Sequence, residues 1–142
     1  MSKLSKLTSF QIAYIECAFW CSTDSLDARG YGLDDIAAAT LQDMVDDCDA
    51  FTSANALDLS RAGDDVQNGH DFWVTRNRHG TGFWDRGYGD VGKRLTDAAH
   101  VYGESNLYVG ADGMIQSCHK DFTGYEPSSA VMKVRSHLRK AN

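Results

Sequence analysis

The chain has no apolar run near the roughly 20 residues that a membrane span requires, and its start, Met1-Ser2-Lys3-Leu4-Ser5-Lys6, lacks the apolar stretch of a signal peptide. These absences predict a soluble, intracellular protein without membrane contact. There is no CxxC pair either: Cys17, Cys21, Cys48 and Cys118 stand apart, so a disulfide framework is not expected in a reducing compartment. Cys17 and Cys21 lie one helical turn apart and Cys118 precedes His119, which leaves a zinc site open. Small thiols packed as hydrophobes are the commoner arrangement, and no metal is assigned. GxSxG, HExxH, P-loop and dinucleotide fingerprints are also missing. The Gly80 to Gly82 stretch, GTG, is too short for a phosphate loop, and no cofactor is predicted.

What is present fits one hydrophobic core. A chain of 142 residues that is 42% apolar and 24% charged has the composition of a single globular domain rather than a disordered or fibrous one. The formal charge of -6 is uneven. Residues 1–65 hold 12 acids against 4 Lys/Arg (net -8), whereas residues 66–142 hold 8 acids against 10 Lys/Arg (net +2). An acidic first half disfavours direct contact with phosphates there and suits a basic surface on a partner.

Periodicity divides the chain into a mainly helical part over 8–67, a hairpin-helix-hairpin part over 70–117 and a basic tail over 119–142. The first helix runs from Thr8 to about Thr23, with Ile12, Ile15 and Phe19 on one stripe and Ala13, Cys17 and Trp20 beside it. After a loop over 24–32, Leu41, Met44, Val45, Cys48 and Phe51 mark the inner face of a second helix. Asp46, Asp47 and Asp49 read as its outer face, either a solvated side or a secondary contact surface. A third helix is expected over 56–67 with Asn68-Gly69 as its stop, and a fourth from Val91 to Tyr102 ended by Gly103. Leu107-Tyr108-Val109 and Met114-Ile115-Gln116 around Asp112-Gly113 make a hairpin. In the tail, Val131, Val134 and Leu138 suggest a short helix. The whole is α+β: N-terminal helices, then β-hairpin, helix and β-hairpin forming a small antiparallel sheet.

The first hairpin is expected from HDFWVTR (His70 to Arg76) and TGFWDR (Thr81 to Arg86), joined by Asn77-Arg78-His79-Gly80. The segment from Gly69 to Tyr88 packs two His, two Asp, three Arg, two Trp and two Phe into twenty residues, a mixture that strand propensity does not require. Three readings follow. In the first, Arg76 or Arg86 pairs with Asp71 or Asp85 and the indoles roof the core. In the second, Trp73, Trp84, Arg76, Asn77, Arg78, His79 and Arg86 form a binding surface for a protein, or a platform that stacks on a nucleotide or single-stranded nucleic acid. In the third, His70 or His79 is a general base, Asp71 or Asp85 orients it and Arg76 stabilises an anion, as in a small hydrolase. His100 and His137 read as surface residues.

The string GHDFWVTRNRHGTGFWDRGYG, with IECAFW, DDIAAATLQDMVDDCDAF, LTDAAHVYGE and LYVGADG, resembles an uncharacterised family of small tailed-bacteriophage proteins that carry a GHDFWxTRNxHGxGFWDRG core. The resemblance spans residues 8–117; Val74 stands where Leu is usual and Thr81 where Ala is common. It implies a phage accessory protein in the host cytoplasm that binds a host factor stoichiometrically, antagonising a defence system, and that needs no active site. The nucleotide or nucleic-acid module and the small hydrolase are the alternatives.

Overall fold

Thr8 starts the first helix by a reciprocal cap: its hydroxyl accepts from the Gln11 amide at 3.1 Å while its own amide donates to Gln11 Oε1 at 2.9 Å. This helix, α1 (Ser9–Trp20), is apolar on most sides and buries all but Ser9, the half-buried Ile12 and the Glu16 and Trp20 edge. Trp20 is 70% exposed, contrary to its expected place on the inner face. The computed structural model describes residues 6–22, 26 and 29–120. The predicted tail beyond residue 120, including its short helix and His137, lies outside the described residues, as does part of the 24–32 loop.

The second helix, α2 (Ala38–Ala54), turns Met44, Cys48 and Phe51 inward as the spacing predicts. The expected third helix is two helices. A short α3 (Ala56–Ser60) stops before Gly63, and Asp64 then caps a new helix, α4 (Asp65–Arg76), by accepting from the Gln67 amide at 2.8 Å. Asn68-Gly69 is therefore no stop. It lies inside α4, where a Cβ on Gly69 would fall onto the Phe10 carbonyl oxygen of α1. The missing side chain lets the two helix backbones cross closely.

Consequently the first predicted hairpin does not form. The segment read as its first strand is the C-terminal two turns of α4, and the second is a loop containing a 3-10 turn at Phe83–Asp85. The physical reason is burial on all sides: every residue from Asp71 to Asn77 is inside. No alternation between core and solvent exists there, and Asp71, Thr75, Arg76 and Asn77 all find hydrogen-bond partners, although the buried Trp73 indole N–H has none among the described residues.

Helix α5 (Asp90–His100) follows, ended by Gly103 at φ +70, and leads into β1 (Glu104–Val109) and β2 (Ile115–Lys120). These pair antiparallel, Val109 opposite Ile115 and Glu104 opposite Lys120. Gly113 at φ +79 closes the turn, its amide donating to the Gly110 carbonyl at 3.0 Å. A bridge from Ile36 to Ile115 pins the hairpin to the start of α2. The protein is thus α+β, five helices preceding one two-stranded sheet among the described residues. None of these helices is long and apolar enough to cross a membrane. Phe10, Tyr14, Phe51, Phe72, Phe83 and Tyr102 form the centre of the core, with Phe51 and Phe72 stacked at 4.0 Å between ring centroids.

Candidate functional site

Helix α4 sorts the charged and aromatic segment into an interior hub and an outer rim. Arg76, fully buried, donates from Nη1 to Asp47 Oδ2 at 2.8 Å and to the Tyr14 hydroxyl at 2.9 Å. Its Nη2 reaches the Tyr102 carbonyl at 2.8 Å and its Nε the Gly103 carbonyl at 2.9 Å. The Phe72 and Tyr102 rings lie 5.9 and 5.7 Å from the guanidinium carbon. Burial pulls this guanidinium down, but Tyr14 and Asp47 outweigh it and hold Arg76 above the ordinary arginine value. Burial likewise pushes the Tyr14 phenol up, so it stays protonated. One arginine therefore ties α1, α2, α4 and the lead into β1 together.

This arrangement corrects four expectations. Asp47 is not on the outer acidic face of α2; it is 1% exposed and holds Arg76. Thr40, Met44, Asp47 and Phe51 fall at intervals of four, three and four, a helical stripe that places Asp47 among core residues. Arg76 is not presented outward, and neither is Trp73, which is 3% exposed and meets Tyr14 edge-on at 5.2 Å. Asn77 is also internal: its Oδ1 accepts from the Ser105 amide at 2.8 Å, fastening α4 to β1. Asp46 and Asp49 remain on the outside of α2, bonded to Gln42 and to Gln11 of α1.

The rim is built on Asp71, whose carboxylate is fully buried behind Gln67, His70 and Arg86, three residues that with Asp64 and Val66 line a cleft of about 510 Å³. Arg86 grips Asp71 with two nitrogens, Nη2 to Oδ1 at 2.9 Å and Nε to Oδ2 at 3.2 Å. Gln67 Nε2 donates to Oδ1 at 2.8 Å, and His70 Nδ1 stands 3.2 Å from the same oxygen. The bonds to Asp71 hold Arg86 above its ordinary value, while burial and then Asp71 raise the Tyr88 phenol. His70 and Asp71 are thus brought together as the hydrolase reading requires. Arg86, not Arg76, is the cation beside them, whereas His79 and Asp85 lie on the loop.

Residues 77–89 form that loop. Phe83 is fully buried and its amide donates to Thr75 Oγ1 at 3.2 Å; Gly82 packs directly on that hydroxyl, and Gly92 of α5 lies against the Phe83 carbonyl. Asp85 Oδ2 accepts from the Thr81 amide at 2.7 Å, and Arg86 Nη2 donates to the Thr81 carbonyl at 2.9 Å. Arg78 and Thr81 have φ of 59° and 65°, a region that side chains disfavour and a β-branched one especially. Above these anchors Trp84 stands 57% exposed, with Arg78 and His79 also exposed.

Cys17 and Cys21 Sγ lie 3.8 Å apart, Cys48 is buried and Cys118 exposed. Burial pushes the Cys17 and Cys48 thiols up, keeping them protonated and hydrophobic in behaviour. Among the described residues no group of three or more His, Cys, Asp or Glu side chains could hold a metal. Compared with protein-family models, curated proteins and solved structures, the chain matches none.

Proposed function

We propose that the protein is a bacteriophage accessory protein that works in the host cytoplasm by stoichiometric binding to a host protein, antagonising a defence factor, with residues 78–86 as its contact element. The observation that carries the binding reading is Trp84, an indole left 57% exposed on a strained loop that is locked from beneath by Phe83, Asp85 and Arg86. Covering that indole would contribute on the order of 2–3 kcal/mol. A loop already held in one conformation loses little entropy on binding. A protein partner suits the loop better than a nucleic acid, because Arg86 is neutralised by Asp71 and Asp85 and Asp90 are exposed nearby in sequence, so among the described residues the loop presents no basic stripe to follow a phosphate backbone. The phage and defence roles rest on the resemblance of the core motif.

Capture from host lysate by the wild-type chain and by Trp84→Ala, read by mass spectrometry, tests the proposal. A host protein retained in near-equimolar amount by the first and reduced at least about tenfold with the second supports it. Identical captures, or salt-sensitive tryptophan quenching by single-stranded oligonucleotides without protein capture, would refute it.

A second reading, a small hydrolase, draws on His70 in the cleft with the buried Asp71 behind it, since a buried carboxylate at Nδ1 leaves Nε2 to act as a base beside Arg86. Asp71 already serves Arg86 and Gln67, which makes it a weaker orienter than a dedicated partner. Turnover of ester or phosphodiester substrates that disappears in His70→Ala, with the melting temperature unchanged, would establish this reading in place of the first.

A further inference from the structure

We propose that the groove between α1 and residues 31–33 is a second docking site, one that takes a basic amphipathic helix of a partner protein. The groove encloses about 480 Å³ and is lined by Ile15, Glu16, Phe19, Trp20, Tyr31 and Leu33, together with Gly32. Trp20 is the most exposed large apolar side chain among the described residues, at 70%, and it lies one turn beyond Glu16 on the exposed edge of a helix whose other faces are mostly apolar and buried. Polar residues are the usual occupants of such an edge. Here one side is open, and the open side carries the residue type that contributes most to interface energy.

The chemistry of the occupant follows from the walls. Glu16 lies in the groove, and Asp34 and Asp35 follow its Leu33 edge. Among the described residues between 15 and 35 there are three acids, Glu16, Asp34 and Asp35, and a single base, Arg29, which is itself drawn over the Tyr31 ring at 5.3 Å. An apolar floor with an acidic rim complements a helix with aliphatic anchors and lysine or arginine flanks. An added β-strand is disfavoured because the wall's amides are engaged: Tyr31 N–H donates to the Leu26 carbonyl at 3.1 Å and Gly32 N–H to Asp35 Oδ2 at 2.7 Å. The middle turns of α1 bond their backbone within the helix. Recognition there has to run through side chains, which is how a helix face binds.

The proposal is independent of the Trp84 loop and is tested with the full chain and a defined probe. The probe is a fluorescein-labelled peptide of leucine and lysine only, with leucines at i, i+3, i+4 and i+7. Controls are the same residues in scrambled order and a leucine-glutamate counterpart. Fluorescence anisotropy should show saturable one-to-one binding of the probe alone, weakening as salt rises. Trp20→Ala should weaken it about tenfold or more, and Glu16→Lys with Asp34→Lys should weaken it and flatten the salt dependence. Leu57→Ala, an exposed apolar position on α3, should leave it unchanged. Absence of binding, equal binding of the scrambled peptide, or indifference to Trp20→Ala would overturn the proposal. So would self-association that depends on Trp20, which would give the groove to a second copy of the chain.

Discussion

Trp73 with Arg76 and Trp84 with Arg86 are the same pair of residue types at nearly the same spacing, and the fold treats them in opposite ways. The first pair points into the core, where Arg76 spends four hydrogen bonds on Asp47, Tyr14 and two carbonyls and Trp73 is covered. The second pair sits on the rim, where Arg86 holds Asp71 and keeps part of its surface open while Trp84 faces out. The difference teaches that composition does not distinguish a structural cluster from a presented one. The supporting shell does: Arg76 has four acceptors around it and Trp73 is covered, whereas the outer pair has anchors under the backbone and leaves the Trp84 indole more than half exposed.

The largest break in that comparison should come from Arg76→Met, which leaves Asp47 buried without its cation and should cost about 3–5 kcal/mol in urea unfolding. Adding Asp47→Leu to Arg76→Met should recover much of the loss, because the uncompensated charge is gone. Equal costs for the single and double changes would mean that packing, not the ion pair, sets the hub. Gly69→Ala comes next: helix propensity alone favours alanine by about 1 kcal/mol, yet the clash with the Phe10 carbonyl should leave a net loss of about 2–3 kcal/mol.

Asp71→Asn should be milder, about 1.5–3 kcal/mol, by removing the charge that Arg86 grips. Its more telling effect is on the loop, where faster amide exchange around Thr81 is expected as Arg86 loosens. His100 gives a smaller, pH-dependent effect. Burial first, then Arg78, holds its imidazole below the ordinary value of 6.5, against opposing contributions from Asp97 and a hydrogen bond to the Thr75 backbone. The unfolded chain therefore binds the proton more readily, so the contribution is complete above pH 6.5 and is lost as pH falls through the folded-state value. His100→Gln should flatten the melting-temperature decline over that acidic window. Trp84→Ala should change stability least, within about 0.5 kcal/mol, while abolishing partner capture.

Much of this fold was legible because its elements have one wet side. The stripe Met44, Cys48 and Phe51, the aligned Val91, Leu95 and Ala98, and the Asp112-Gly113 turn each announce their geometry through contrast with solvent. Helix α4 has no such contrast in its last two turns, so Phe72 and Val74 against Trp73 and Thr75 mimicked the alternation of a strand. Gly69 was readable as a stop because glycine ends helices, whereas here it serves a backbone crossing that only three dimensions reveal. Of the candidate site, Trp84, Arg78 and His79 were placed on the surface as expected, and His70 and Asp71 do meet. The burial of Asp47 and Arg76 hid behind charge, although the spacing of Asp47 from Met44 and Phe51 carried the signal.

Hydroxyl-radical footprinting of the native full chain, read peptide by peptide, tests the division between hub and rim most directly. Trp84 should be oxidised rapidly and Trp73 only at the rate of global unfolding. Comparable modification of both indoles would contradict the account, because the segment from Trp73 to Arg76 would then be open to solvent and free for a partner.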